Sequence, residues 1–214
     1  MIITPKIEYS NIGFLEVPGY FSYLIYFQGC TIRCPDCQNI ILLDFNEGNS
    51  IKIEDFLYKI KTDMISCKDY IDYFVFLGGE PFDQIHSLLE IIRFIKEKYS
   101  EKRICIYTGY KLEELYEKNK ENSIFLEILD NIDIIKDGKY DKIDVFTKNT
   151  NKNYKKLQRF LIKLPKNTEK TIENVNFNEY LIGNHKFIDF YPSFTEKTEE
   201  NRKFISKILY FLYK

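Results

Sequence analysis

The sequence predicts an α/β fold, a parallel sheet or partial (βα) barrel of mainly parallel strands, and three observations carry that prediction. β-rich runs alternate with helix-periodic runs from residue 21 to residue 137. The β-rich runs end in glycine-containing turns, and the segments between them are long enough for the helical crossovers that parallel neighbours require. Of the 214 residues, 44% are hydrophobic and 16% aromatic, enough apolar material for one sizeable core.

The first β-rich run is Phe21–Gln28, which stops at Gly29 as a cluster of cysteines begins. Ser50 is placed to cap a helix over roughly 51–65, where Ile53, Phe56, Leu57, Ile60 and Met64 recur at helical spacing. Asp72–Leu77 reads as a buried strand stopped by Gly78-Gly79. Asp83 is placed to cap a second helix carrying Ile85, Leu88, Leu89, Ile92 and Ile95, and the strand Arg103–Tyr107 follows, ended by Thr108-Gly109. Leu112 to about Leu129 is helix-like with an expected interruption at Asn119–Ser123, and Ile132–Lys136 is a strand ending at Asp137-Gly138. Four strand ends thus carry Gly29-Cys30, Gly78-Gly79-Glu80-Pro81, Thr108-Gly109-Tyr110 and Asp137-Gly138. Ligands gather at the C-terminal edge of parallel strands, so all four signals are expected on one rim.

Beyond about residue 146 the alternation weakens. Residues 1–146 are expected to form the core, and residues 147–214 a C-terminal extension packed on it and ending in a helix. Ser193 with Glu196 offers a capping box, after which Phe204, Ile205, Ile208, Leu209 and Leu212 line one helical face. Lys148 to Lys170 is basic, with Lys152, Lys155, Lys156, Arg159, Lys163 and Lys166 against the single acid Glu169; it reads as a solvated face or a docking surface.

Lys and Arg number 31 against 32 Asp and Glu, a formal net charge of -1, so no global pull toward nucleic acid or an anionic membrane is implied. The first residues lack the pattern of a secretory signal, and no run is long enough to cross a bilayer. A cytoplasmic protein with neither nucleic acid nor membrane as partner is expected. Three of the five cysteines fall within eight residues, which suits a metal site in a reducing compartment better than a disulfide scaffold. Cys67 and Cys105 read as structural thiols.

Cys30, Cys34 and Cys37 stand at i, i+4 and i+7, which is also the spacing of one helix face. Gly29, the polar neighbours Arg33, Asp36, Gln38 and Asn39, and a helix-breaking Pro35 argue against a buried stripe. A zinc-stabilised binding module would need a fourth ligand from Cys67, Cys105, His86 or His185, and none is evidently placed for it. Three thiolates suit a [4Fe–4S] cluster in which one iron stays open to a cofactor or substrate, since four cysteines saturate a cluster that only passes electrons.

The run Cys30-Thr31-Ile32-Arg33-Cys34-Pro35-Asp36-Cys37 resembles the C-x3-C-x2-C signature of the radical S-adenosylmethionine (SAM) superfamily, and Gly78-Gly79-Glu80-Pro81 resembles its second motif. Phe27-Gln28-Gly29 and Gln38-Asn39 around the triplet look like those of glycyl-radical-enzyme activases. Ile106-Tyr107-Thr108-Gly109-Tyr110 and Asp137-Gly138-Lys139-Tyr140 resemble, within that group, the activating proteins of anaerobic ribonucleoside-triphosphate reductases. The likeness covers about residues 10–165, and Leu157-Gln158-Arg159 matches the family's Asn-Gln-Arg segment imperfectly.

That resemblance implies a partial barrel of radical SAM type and an iron–sulfur oxidoreductase whose metal ligands are Cys30, Cys34 and Cys37. SAM would meet Gly78, Gly79 and Glu80 through its methionine amino group, with Asp36 and Gln38 near adenine. Thr108, Gly109 and Tyr110 would border it. Many members place an aromatic residue where this chain has Asp36, so only backbone contacts carry over there. The implied activity is reductive cleavage of SAM and formation of a glycyl radical on anaerobic ribonucleoside-triphosphate reductase, with electrons from a donor such as flavodoxin. The cofactors carry the hard chemistry, and no catalytic residue beyond the cluster and SAM site is implied. A pyruvate formate-lyase type activase and a deazaguanine-synthase-like enzyme are the alternatives.

Overall fold

The computed structural model describes residues 1–6, 9–17, 19–140, 158–164 and 178–189. The expected C-terminal helix, its capping box and most of the basic stretch lie outside them. In chain order the strands are β1 (Ile2–Thr4), β2 (Ser10–Gly13), β3 (Ser22–Phe27), β4 (Asn49–Ile51), β5 (Tyr73–Gly78), β6 (Arg103–Tyr107), β7 (Ile134–Asp137), β8 (Arg159–Lys163), β9 (Asn178–Ile182) and β10 (His185–Asp189). The helices are α1 (Ile53–Cys67), α2 (Ile85–Lys98), α3 (Leu112–Asn119) and α4 (Ser123–Asn131).

Eight strands form one sheet in the order β2-β3-β5-β6-β7-β8-β10-β9, while β1 and β4 pair separately. The four central strands β3, β5, β6 and β7 are parallel, with Ser22 opposite Tyr73 and Tyr73 opposite Arg103. Antiparallel strands flank them on both sides: β2 against β3, and β8, β10 and β9 beyond β7. The fold is therefore α/β with a parallel centre. Parallel order holds where helices supply the crossovers, and the edges depart from it.

Strand periodicity divides the apolar residues between two faces. Tyr23, Ile25 and Phe27 of β3, Phe74 and Phe76 of β5, and Ile104 and Ile106 of β6 meet the apolar stripes of the helices, such as Phe56, Ile60 and Met64 of α1 and Leu88, Ile92 and Ile95 of α2. Phe74 and Phe76 are both 0% exposed, and burying each contributes roughly 1.5–3 kcal/mol. Leu24, Tyr73, Val75, Leu77, Cys105 and Ile134 form a second cluster on the opposite face. Among the described residues, α1, α2, α3 and α4 all bury side chains in the first cluster and cover one face of the sheet.

Local capping differs from the sequence expectation at two helices. Ser50 does not cap α1: it lies in β4, opposite Ile3 of β1, and the cap position falls to Lys52, which makes no side-chain capping bond. Glu54 and Asp55 in the first turn complement the helix dipole instead. Asp83 does not cap α2 either; it sits in the 3-10 turn Pro81–Gln84, whose own cap is Glu80. The interruption expected at Asn119–Ser123 is present, and the Asn122 side chain caps α4 by accepting from Ile124 N–H at 3.0 Å. Among the described residues, no helix is long and apolar enough to cross a membrane.

Candidate metal centre

Two glycine-containing strand ends make the site. β3 ends at Phe27 and β5 beside it ends at Gly78, and the chains leaving them stay in contact. Gly79 N–H donates to Phe27 O at 2.7 Å, and Glu80 N–H donates to Gly29 O at 2.8 Å. The approach is close enough to exclude side chains: a Cβ on Gly79 would lie 2.1 Å from Gly29 O, and one on Gly78, at φ +106°, would lie 2.6 Å from Phe27 O. These glycines thus serve first to let one backbone touch another.

The cysteine loop leaves that crossing already anchored. Gly29 N–H donates to Leu42 O and Cys30 N–H to Leu43 O, so the returning segment holds the loop's base. Gln28, 1% exposed, donates from its amide to Ile41 O and Asp44 O. Arg33, at φ 49°, takes a left-handed turn between Cys30 and Cys34, and Cys37 N–H donates to Cys34 O at 3.2 Å. Cys30 is buried, whereas Cys34 and Cys37 are half-buried. Burial pushes the Cys30 thiol up, and backbone N–H groups of Arg33 and Ile32 oppose that shift.

All three cysteines line one cavity of about 380 Å³, together with Gln38, Gly78, Gly79, Glu80, Thr108 and Gly109. Of the residues expected around SAM, Asp36 and Tyr110 are not on its wall. Asp36 is exposed on the loop. Tyr110 turns its hydroxyl to Thr31 Oγ1 at 2.9 Å and Asp83 Oδ1 at 3.1 Å. Leu77, Ile32 and Tyr26 add apolar surface, and Lys136 and Gln158 add polar groups from β7 and from the residue before β8.

Glu80 is the electrostatic centre of the rim. Its Oε1 accepts from Phe82 N–H at 3.1 Å and Thr108 Oγ1 at 2.9 Å, and its Oε2 accepts from Gly109 N–H at 2.9 Å. The carboxylate thereby ties the end of β5 to the end of β6. Burial nevertheless pushes its pKa up to about 7, against those three hydrogen bonds. Asp137, 0% exposed, does the same one strand further on: it accepts from Leu112 N–H at the start of α3 and pairs with Arg159 of β8. Arg159 also bridges to Glu113 and stacks over the Tyr180 ring at 4.8 Å.

Sequence reasoning missed several residues here. Gln84 accepts from Ile3 N–H and donates to Gln28 O, pinning β1 and β3 beneath the site. Tyr107, on the cavity wall, donates to Glu16 O at 2.6 Å while Lys136 sits 4.6 Å above its ring. No local pattern marks such partners, because they lie far apart in the chain.

The donor set fits an iron–sulfur cluster. Three free thiols face one cavity, and Cys67 and Cys105 are buried elsewhere, on α1 and inside β6. Neither His86 nor His185 lies on the cavity wall. Among the described residues no three His, Cys, Asp or Glu side chains draw together around a single metal ion. Thiolates that each bind a different iron need no such common point, whereas a zinc tetrahedron does.

An α/β rim presenting three cysteines around one cavity suits a single iron–sulfur cluster. The chain belongs to the 4Fe–4S single cluster domain family, whose profile matches residues 18–161. It is 27% identical over 137 residues to the anaerobic ribonucleoside-triphosphate reductase-activating protein of Salmonella typhimurium, covering 62% of this chain and 82% of that one. The protein of the same name from Enterobacteria phage T4 is 28% identical over 131 residues, covering 60% and 76%. The pyruvate formate-lyase-activating enzyme of Clostridium pasteurianum is 29% identical over 93 residues, covering 42% and 37%. This is a radical SAM enzyme, and its cofactors are a [4Fe–4S] cluster and SAM.

Proposed function

We propose that this protein activates an anaerobic ribonucleoside-triphosphate reductase by generating a glycyl radical on it. The observation that carries the reading is that Cys30, Cys34 and Cys37 face Gly79, Glu80, Thr108 and Gly109 across one cavity at the C-terminal ends of parallel strands. The reductase-activating relatives match over most of their length, and the pyruvate formate-lyase-activating relative over 37% of its own, which favours the former as the model for the partner. Strand order that advances β3-β5-β6-β7, with the described helices packed in one cluster, supports a partial (βα) barrel.

Cys30, Cys34 and Cys37 would hold the cluster, which when bound supplies the electron for reductive cleavage of SAM, the source of the hydrogen-abstracting radical. The chain's own residues bind and shield. The rim Gly78–Gly79 offers backbone acceptors for an amino group. Glu80, committed to three donors of its own, holds that rim against β6. Gln38, Thr108 and Gly109 border the same space, while Asp36 and Tyr110 lie outside the wall. Leu77, Ile32 and Tyr26 exclude water, and the Tyr107 hydroxyl hydrogen is directed at Glu16 O. The reductase polypeptide, a flavodoxin-type electron donor and a cytoplasmic setting without nucleic acid or membrane complete the proposal.

The test is anaerobic reconstitution with iron and sulfide, reduction, addition of SAM and chromatography for 5′-deoxyadenosine, with and without a reductase partner. Product that disappears in Cys34→Ser, and a glycyl radical signal in the reductase, are the expected results. A protein that binds iron and sulfide but cleaves no SAM even with the reductase present would refute the reading.

A further inference from the structure

Asp83 belongs to none of the roles above, yet it makes three bonds to the site. Its Oδ2 accepts from Thr31 N–H at 2.7 Å, and its Oδ1 accepts from Thr31 Oγ1 at 3.0 Å and from Tyr110 OH at 3.1 Å. The two hydroxyls lie 2.9 Å apart, and since each has one hydrogen, either donates to the other only by giving up its bond to Oδ1. Thr31 directly follows Cys30, Asp83 follows the Gly-Gly-Glu-Pro turn, and Tyr110 follows the Thr-Gly at the end of β6. Three separate strand ends therefore meet at one carboxylate.

The bonds bracket a single cysteine. On its N-terminal side Gly29 O is held by Glu80 N–H, its own N–H is held by Leu43 O, and on its C-terminal side Thr31 N–H is held by Asp83. Among the described residues, the backbone bond that Cys34 and Cys37 make, from Cys37 N–H to Cys34 O, is internal to the loop. We infer that Asp83 is a positioning residue: with Thr31 and Tyr110 it clasps the cysteine loop so that Cys30 is set in place before metal arrives, leaving Cys34 and Cys37 to adapt to the cluster. The inference rests on the reading of Cys30 as a cluster ligand, and it has a readout in the metal-free chain.

Backbone N–H to carboxylate bonds are among the stronger ones; asparagine at 83 keeps the shape, with its oxygen toward Thr31 N–H and its NH2 toward the two hydroxyls, and replaces the charged acceptor with a weaker neutral one. The experiment is pulsed alkylation of the reduced, metal-free protein with iodoacetamide, read for each cysteine by peptide mass spectrometry. In Asp83→Asn, Cys30 is expected to react roughly tenfold faster than in the native chain. In Thr31→Val and Tyr110→Phe, which change no charge, it should react roughly threefold faster. Cys34 and Cys37 should stay within about twofold throughout. After reconstitution, iron release to a chelator should accelerate in the same order, and Asp83→Asn alone should raise the cluster's midpoint potential, since it alone removes a negative charge. Native rates at Cys30 in both Asp83→Asn and Thr31→Val, or equal acceleration of all three cysteines, would overturn the clasp. A native chain that loads no iron and sulfide would instead refute the proposed function, and the alkylation result would still decide the clasp.

Discussion

Replacing Glu80 by glutamine should change how stability depends on pH. The side chain is 1% exposed, and burial moves its pKa from an ordinary 4.5 to about 7. The unfolded chain releases this proton near 4.5 and the folded chain near 7, so between those values the native state holds the extra proton. Stability from this group is therefore complete below about 4.5, falls as the pH rises to about 7 and is level beyond. At about 1.4 kcal/mol per pH unit, the displacement is worth about 3 kcal/mol. To hold the proton, Glu80 must turn one oxygen into a donor. Of its three partners only the Thr108 hydroxyl can accept, by rotating away from its own donation.

Glutamine removes the titration, but either orientation of its amide points an NH2 at a backbone N–H, of Gly109 or of Phe82. Leaving that donor unmatched costs about 1–3 kcal/mol. Urea unfolding of the metal-free protein, followed by far-UV circular dichroism, supplies the comparison. The stability advantage of the native chain over Glu80→Gln should shrink by about 3 kcal/mol from about pH 4.5 to about pH 8, leaving the variant equal or better at the alkaline end. A difference that stays constant over this range would refute the assignment of the titration to Glu80.

Two further expectations follow from the same rim. Arg159→Met leaves the Asp137 carboxylate buried with Leu112 N–H and, at 3.7 Å, Lys111 as its remaining partners; a loss of about 3–5 kcal/mol in urea unfolding is expected, and less than 1 kcal/mol would show the ion pair to be dispensable. Gly79→Ala puts a methyl group 2.1 Å from Gly29 O, so the crossing must separate and iron content after reconstitution should fall by more than about tenfold; full iron loading would contradict the close approach.

The alternation of the central strands and helices was legible because each element has its own period and each strand end its own glycine turn. The split between α3 and α4 was legible for the same reason, since Asn122 is a local cap. Ser50 misled because a serine before an apolar periodic run is a local cap signature, while its actual partner, Ile3, lies far back in the chain. β8 was hidden in a run that reads as basic and solvated, yet Phe160, Leu161 and Ile162 are buried and Arg159 is spent on Asp137. The cysteine triplet and the Gly-Gly-Glu-Pro turn could be named from their residues, whereas Thr31, Asp83 and Gln84 act through partners that no spacing reveals. Glu80 was read as a ligand contact, and its carboxylate is engaged first by its own neighbours.

The backbone crossing between Gly29 and Gly79 joins two motifs about fifty residues apart in the chain. For protein engineering they form one inheritable part. A cysteine loop transplanted from another scaffold would arrive without the carbonyl that Glu80 N–H grips, and a new rim would arrive without the gap that Gly29 O enters. Variation is then cheapest at Pro35 and Asp36, which are exposed on the loop, and a library aimed at altered cofactor grip would do well to diversify those positions while keeping the three cysteines and both ends of the crossing.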